Sequence, residues 1–155
     1  METKKVVERL IMTLQWSLFA AMFFTSLFKQ QKLINIRWLG FIIIIAALYV
    51  LIISYTAHAG VNTIQLSSSP EPNEKAELVT GGIYKYIRHP IYLSFIILLW
   101  GMAVLLGYFS SLCVAVLSII LFYLKTLYEE NLLLKCYPGY KEYKRKTGRF
   151  LPRRK

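Results

Sequence analysis

An all-α integral membrane fold is predicted by three features of the chain. It has 155 residues, 56% of them apolar, and a mean hydropathy of +0.47, outside the range of an ordinary soluble domain. Its uncharged runs reach membrane-crossing length. Its basic residues, which set a formal charge of +11, flank those runs and crowd the C-terminus. That placement suits anionic membrane lipids as partners and argues against nucleic acid. The length suits one domain over 1–155, with two N-terminal spans in 1–57 and a core in 58–155.

Residues 10–28 and 38–57 carry no charge and are each about 19 or 20 residues long, enough to cross a hydrocarbon core of roughly 30 Å. The first is too long for the apolar region of a cleavable signal and is followed by no small-residue cleavage site, so it reads as a retained helix. Lys29, Lys32 and Arg37 make a short basic turn between the two, and Asn35 marks the start of the second. Over 58–80 the character changes. Three serines and two prolines in 67–73 exclude a regular helix and predict a surface loop or a lid folded over a site. Glu71, Glu74 and Glu77 make this the most acidic region.

The 34 uncharged residues of 91–124 are too many for one untilted span. Gly107, with Ser110 and Ser111 behind it, divides them into a tight helical hairpin. The second helix continues through Lys125, Glu129 and Glu130, and Pro138-Gly139 ends it. About four membrane helices result, with three spans or a re-entrant segment as alternatives. Both termini and the 58–89 loop then share a side that holds all of the 19 basic residues but Lys29, Lys32 and Arg37. The positive-inside rule makes that side cytoplasmic. Cys113 and Cys136 lack metal-ligand spacing, so no metal site is expected. Cys113 is expected to be a buried small hydrophobe.

Polar groups at the edge of an apolar run are costly and usually line an internal site. Tyr84, Arg88, His89, Pro90 and Tyr92 stand just before the hairpin; Lys125, Glu129 and Glu130 stand just after it. An antiparallel hairpin brings both groups to one membrane face. Plainer roles exist for each. His89 can simply cap the helix begun by Pro90, and the glutamates can form a solvated face paired with Lys125. Tyr84, Tyr86 and Tyr92 can form an interfacial belt, and the basic tail over 141–155 a headgroup anchor, with Arg149 alone set apart as structural or site-forming.

These blocks resemble the isoprenylcysteine carboxyl methyltransferase and phospholipid methyltransferase families of integral membrane enzymes. Gly82, Tyr84, Arg88, His89, Pro90 and Tyr92 match the first shared block. Glu129, Glu130 and Leu133 match the second, and Tyr140, Tyr143, Arg149, Phe150 and Pro152 the third. The resemblance covers about the last 80 residues and implies S-adenosylmethionine as cofactor, held beneath a cytoplasmic lid. It implies cofactor contacts from Leu78, Val79, Tyr84, His89, Pro90, Tyr92 and Glu129, and catalytic roles for Lys125, Glu130 and Arg88. The implied reaction is methyl transfer to a lipophilic acceptor, either a prenylcysteine-like carboxylate or a phospholipid amine. Lys125 stands where arginine is usual, and a lysine cannot make arginine's bidentate fork to a carboxylate. An NADPH-dependent membrane reductase of related architecture and a non-catalytic lipid-binding subunit are the competing expectations.

Overall fold

The computed structural model describes residues 2–28, 32–33, 36–59 and 78–153. Asn35 and the expected loop over 67–73 lie outside them. Among the described residues the fold is entirely helical: α1 (Glu2–Thr25), α2 (Arg37–Ala59), α3 (Pro90–Leu106), α4 (Phe109–Cys136) and the short α5 (Tyr140–Lys146), with a single tight helical turn at Gly82–Lys85 before α3. Three segments are long and apolar enough to cross a membrane, namely Val6–Thr25, Arg37–His58 and Phe109–Cys136, and Pro90–Leu106 is a shorter apolar helix. The protein is an all-α membrane protein, as its composition predicts.

The helix ends follow local chemistry. Pro90 opens α3, where a missing N–H costs nothing. Gly107 closes it in the left-handed region at φ 74°, and its N–H reaches the Ala103 carbonyl at 2.9 Å. α4 begins two residues later, so the predicted break falls where expected. Ser111 donates its hydroxyl to Tyr108 O at 2.7 Å and reaches across the hairpin to Ala103 O of α3 at 3.3 Å. Ser94 and Ser118, also buried, return their hydroxyls to their own helices, at Ile91 O and Ala115 O. No hydroxyl of these three is left unpaired in an apolar setting.

The helices lie side by side in the order α2, α3, α4, α1. α2 and α3 cross closely because glycines meet backbone there. A Cβ on Gly40 would stand 2.7 Å from the Leu105 nitrogen, and one on Gly101 2.8 Å from Ile44 Cγ1. Small residues at a crossing are how membrane helices gain packing without a hydrophobic drive between them. Met22, Leu99, Ala103, Ala115 and Phe122 form the buried centre, while Trp16, Phe23, Ile45, Tyr49 and Ile120 face outward, toward lipid. Cys113 is a correction: it lies on the exposed face of α4, because its neighbours Val114 and Ala115 take the inward positions.

Candidate active site

The site end of the bundle is assembled by the C-terminal segment folding back onto the residues before α3. Tyr86 O accepts from Gly148 N at 3.0 Å, and Arg88 N and His89 N donate to Gly148 O and Arg149 O at 2.9 and 3.1 Å. Gly148 permits the tail's own turn at this point: a Cβ there would stand 1.6 Å from the Leu151 carbonyl oxygen. The backbone of Arg88 and His89 is thereby held before any side chain is considered. Tyr143, on α5, adds a phenol hydrogen bond to Tyr84 O at 2.8 Å.

Glu130 is the centre of the polar cluster, 1% exposed. Its Oε1 accepts from Arg88 Nε at 3.0 Å and Arg149 Nε at 3.2 Å. Its Oε2 meets Lys144 Nζ at 2.8 Å and Arg149 Nη2 at 3.1 Å. Arg88 spends its remaining donors on the Lys144 and Thr147 carbonyls. Four segments (the pre-α3 loop, α4, α5 and the tail) are thus clasped by one carboxylate. Glu130 is therefore neither solvated nor paired with Lys125, and two members of the basic tail, Lys144 and Arg149, serve this cluster. Hydrogen bonds to Glu130 hold the Arg149 guanidinium above its ordinary pKa.

His89 immediately precedes α3 but makes no side-chain capping bond. Its imidazole turns inward instead, stacked on Tyr92 with centroids 5.6 Å apart and planes within 4°. Nδ1 lies 3.7 Å from Glu129 Oε2 and Nε2 3.4 Å from Glu130 Oε1. Glu129 differs from its neighbour: it is partly open, and its Oε2 has no hydrogen-bond partner among the described residues. Two adjacent glutamates on one helix therefore have opposite characters, one saturated by cations and one available.

Lys125 is buried and donates to Gln15 Oε1 of α1 at 2.6 Å, its ammonium 4.8 Å from the Tyr92 ring centre. Together with Glu8, Tyr92, Tyr128 and Glu129 it lines a small open cleft. Among the other sequence-predicted residues, Tyr84 is buried beside the His58 ring at 6.2 Å, and Pro90 is fully buried. Val79 is buried and Leu78 half-buried on the extended stretch leading to Gly82–Lys85. No described contact joins these last two to His89 or Glu129. Tyr86 is exposed, as a belt residue would be. Burial raises the phenols of Tyr84 and Tyr140 well above the ordinary value and pushes Tyr143 up to about 12, so all three stay protonated near neutrality.

Sequence reasoning passed over Glu8, Gln15, Lys144 and Gly148. Gln15 carried a usable signal, an amide inside an uncharged run. Lys144 carried none, because it sits among other lysines and arginines.

The model of the phospholipid methyltransferase family matches residues 35–139. Over 82 residues the chain is 35% identical to the Protein-S-isoprenylcysteine O-methyltransferase of Schizosaccharomyces pombe (strain 972 / ATCC 24843), a match covering 52% of this chain and 35% of that protein. The chain thus spans about a third of that relative's length.

Proposed function

Because this chain belongs to the phospholipid methyltransferase family, we propose that it transfers a methyl group from S-adenosylmethionine to an acceptor carried in the bilayer. The observation that supports this most directly is the meeting of His89, Tyr92 and Glu129 at one end of an apolar hairpin, with Glu129 Oε2 unpartnered. That carboxylate suits an ammonium group. The rings of Tyr84, Tyr92 and His89 offer faces to a sulfonium, and Pro90 supplies apolar surface next to His89; the contacts from Leu78 and Val79 rest on the family resemblance alone. Three basic side chains around the single Glu130 carboxylate leave surplus positive charge for an anionic end.

When bound, S-adenosylmethionine supplies an electrophilic methyl, whose bond to sulfur breaks as a bond to the acceptor forms. The protein's own share is alignment, which supplies several kcal/mol of such barriers. Arg88 and Glu130, given catalytic roles from sequence, act as positioning residues here, since both Glu130 oxygens are engaged. A phospholipid amine must lose a proton, and with Glu129 holding the donor's ammonium His89 is the group that would receive it. A prenylcysteine-like carboxylate needs no base. Tyr84, Tyr140 and Tyr143 keep their protons near neutrality and so cannot accept one. Four spans complete the arrangement, with α3 the short one at about 25 Å and the site at the cytoplasmic face.

The test uses the purified chain in detergent. S-adenosylmethionine is expected to give a saturable calorimetric isotherm and NADPH none. Membranes carrying the protein are expected to pass radiolabelled methyl into extracted lipid, at least tenfold less in His89→Ala. A folded sample that binds no S-adenosylmethionine, or lipid labelling indifferent to His89→Ala, overturns the reading.

A further inference from the structure

α5 carries two phenols, Tyr140 and Tyr143, three residues apart on one face with ring centres 5.9 Å apart. Tyr143 has a partner, since its hydroxyl donates to Tyr84 O at 2.8 Å. Tyr140 differs. It is 1% exposed and the largest fully buried side chain among the described residues. Its hydroxyl is buried as well, with no hydrogen-bond partner among those residues. The charges of Glu130, Arg88 and Glu129 all act on this phenol, so it stands beside both the clasped carboxylate and the free one. A buried polar group left without a partner is costly, and most such groups in folded proteins meet a ligand, an ion or a water.

The cations around Glu130 are already engaged. Arg88 uses Nε and Nη2 on Glu130 Oε1 and Nη1 on the Lys144 and Thr147 carbonyls. Arg149 gives Nε and Nη2 to the same carboxylate and lays its guanidinium over the Tyr123 ring at 4.6 Å. Lys144 closes on Oε2 at 2.8 Å. A second carboxylate arriving here gains from their surplus charge, which acts over distance. It still needs a hydrogen-bond donor that is not spent, and Tyr140 offers one. Burial keeps that phenol protonated near neutrality, so it donates and does not repel an anion. A fourth buried cation in its place would lack a counter-charge whenever the ligand left. A neutral donor avoids that cost.

We infer that Tyr140 is a further cofactor-binding residue: its hydroxyl donates to the carboxylate of S-adenosylmethionine while Glu129 holds the ammonium on the same carbon. The two charged groups of an α-amino acid are one carbon apart, so the side chains that receive them must be neighbours. Glu129 is near enough to Tyr140 for its charge to act on the phenol. The inference rests on the methyltransferase reading and deepens it, by giving the anionic end a specific partner where the surplus charge gave only a field. It also gives α5 a part in binding. Fastened to Glu130 through Lys144 and to Tyr84 through Tyr143, that helix brings a hydroxyl to the cofactor.

The probes are S-adenosylmethionine and its decarboxylated form, which keeps the amine and the sulfonium, titrated by calorimetry into detergent-purified full-length chain. Wild type is expected to bind the intact cofactor at least tenfold tighter. Tyr140→Phe removes one oxygen and keeps the ring. It is expected to weaken S-adenosylmethionine about tenfold or more, the scale of a hydrogen bond to a charged group, and the decarboxylated form less than twofold. Tyr143→Phe, whose hydroxyl serves the fold, is expected to change both ligands by the same factor. A second measurement does not depend on the variant folding: with 3-fluorotyrosine at position 140, the fluorine resonance is expected to move with S-adenosylmethionine and to stay nearly still with the decarboxylated form. Equal affinities of wild type for the two ligands overturn the inference. So does a Tyr140→Phe that keeps full S-adenosylmethionine affinity or loses both ligands equally, and so does a fluorine signal that answers both alike. Wild type that binds neither ligand sinks the methyltransferase reading and this inference with it; wild type that binds both, with Tyr140→Phe indifferent, sinks the inference alone.

Discussion

Arg88 and Glu130 are 42 residues apart in the chain and meet at 3.0 Å with almost no exposure to solvent. The whole 91–124 hairpin lies between them, so this contact records how the hairpin closes. It also sets Glu130 apart from Glu129, whose buried Oε2 has no hydrogen-bond partner among the described residues.

Glu130→Gln keeps the side chain's shape and removes the charge that three basic groups share. Breaking one partner of a buried ion pair costs about 3–5 kcal/mol. A marked fall in the detergent melting temperature is expected, together with loss of donor binding. An unchanged melting temperature would show that the clasp contributes nothing to folding.

Glu129→Gln is expected to do the reverse. The carboxylate is partly open and Oε2 is unpartnered, so stability should hold. Hydrogen bonds to charged groups contribute about 1.5–3 kcal/mol, so S-adenosylmethionine affinity should fall roughly tenfold to a hundredfold. Calorimetry on a sample of wild-type melting temperature checks this.

Gly148→Ala places a methyl where the Leu151 carbonyl oxygen stands. The tail must move, and its backbone bonds to Tyr86, Arg88 and His89 must open. Hydrogen exchange should accelerate at the Arg88 and His89 amides and stay slow in the middle of α3. Unchanged protection at those two amides would mean that the tail does not hold them.

Tyr143 gives a prediction at alkaline pH. Burial lifts its phenol from the ordinary 10.0 to about 12. Between those values the unfolded chain has lost a proton that the folded one keeps, so the unfolded state binds fewer protons and stability falls as pH rises. The contribution is complete below pH 10 and declines from there to about 12. Tyr143→Phe should lower stability at neutral pH, through the lost bond to Tyr84 O, and flatten the alkaline decline. A decline of unaltered slope in the variant would assign it to other groups.

Much of the fold was legible because hydrocarbon thickness is a one-dimensional constraint. Uncharged length alone located α1, α2 and the α3–α4 pair, and Gly107 broke the last run because a left-handed residue was needed there. Arg88, His89, Glu129 and Glu130 stood out for the same reason, as polar groups beside lipid. The partners were not legible. Arg149 stood apart through the third shared block, but Lys144 looks in sequence like the rest of a headgroup-binding tail, Gln15 like one amide in an apolar run, and Glu8 like an ordinary charge at a helix start. Only the fold distinguishes them.

The amino-acid order by itself determined which segments are apolar over membrane-scale lengths and that an acidic pair and an Arg-His-Pro would share one end, because both depend on charge-free length and antiparallel return. The tertiary structure decided which glutamate is consumed and which is free, and that α1 supplies one wall of the cleft. Those outcomes depend on contacts between distant residues, where a carboxylate's role is set by how many cations the folded chain brings to it.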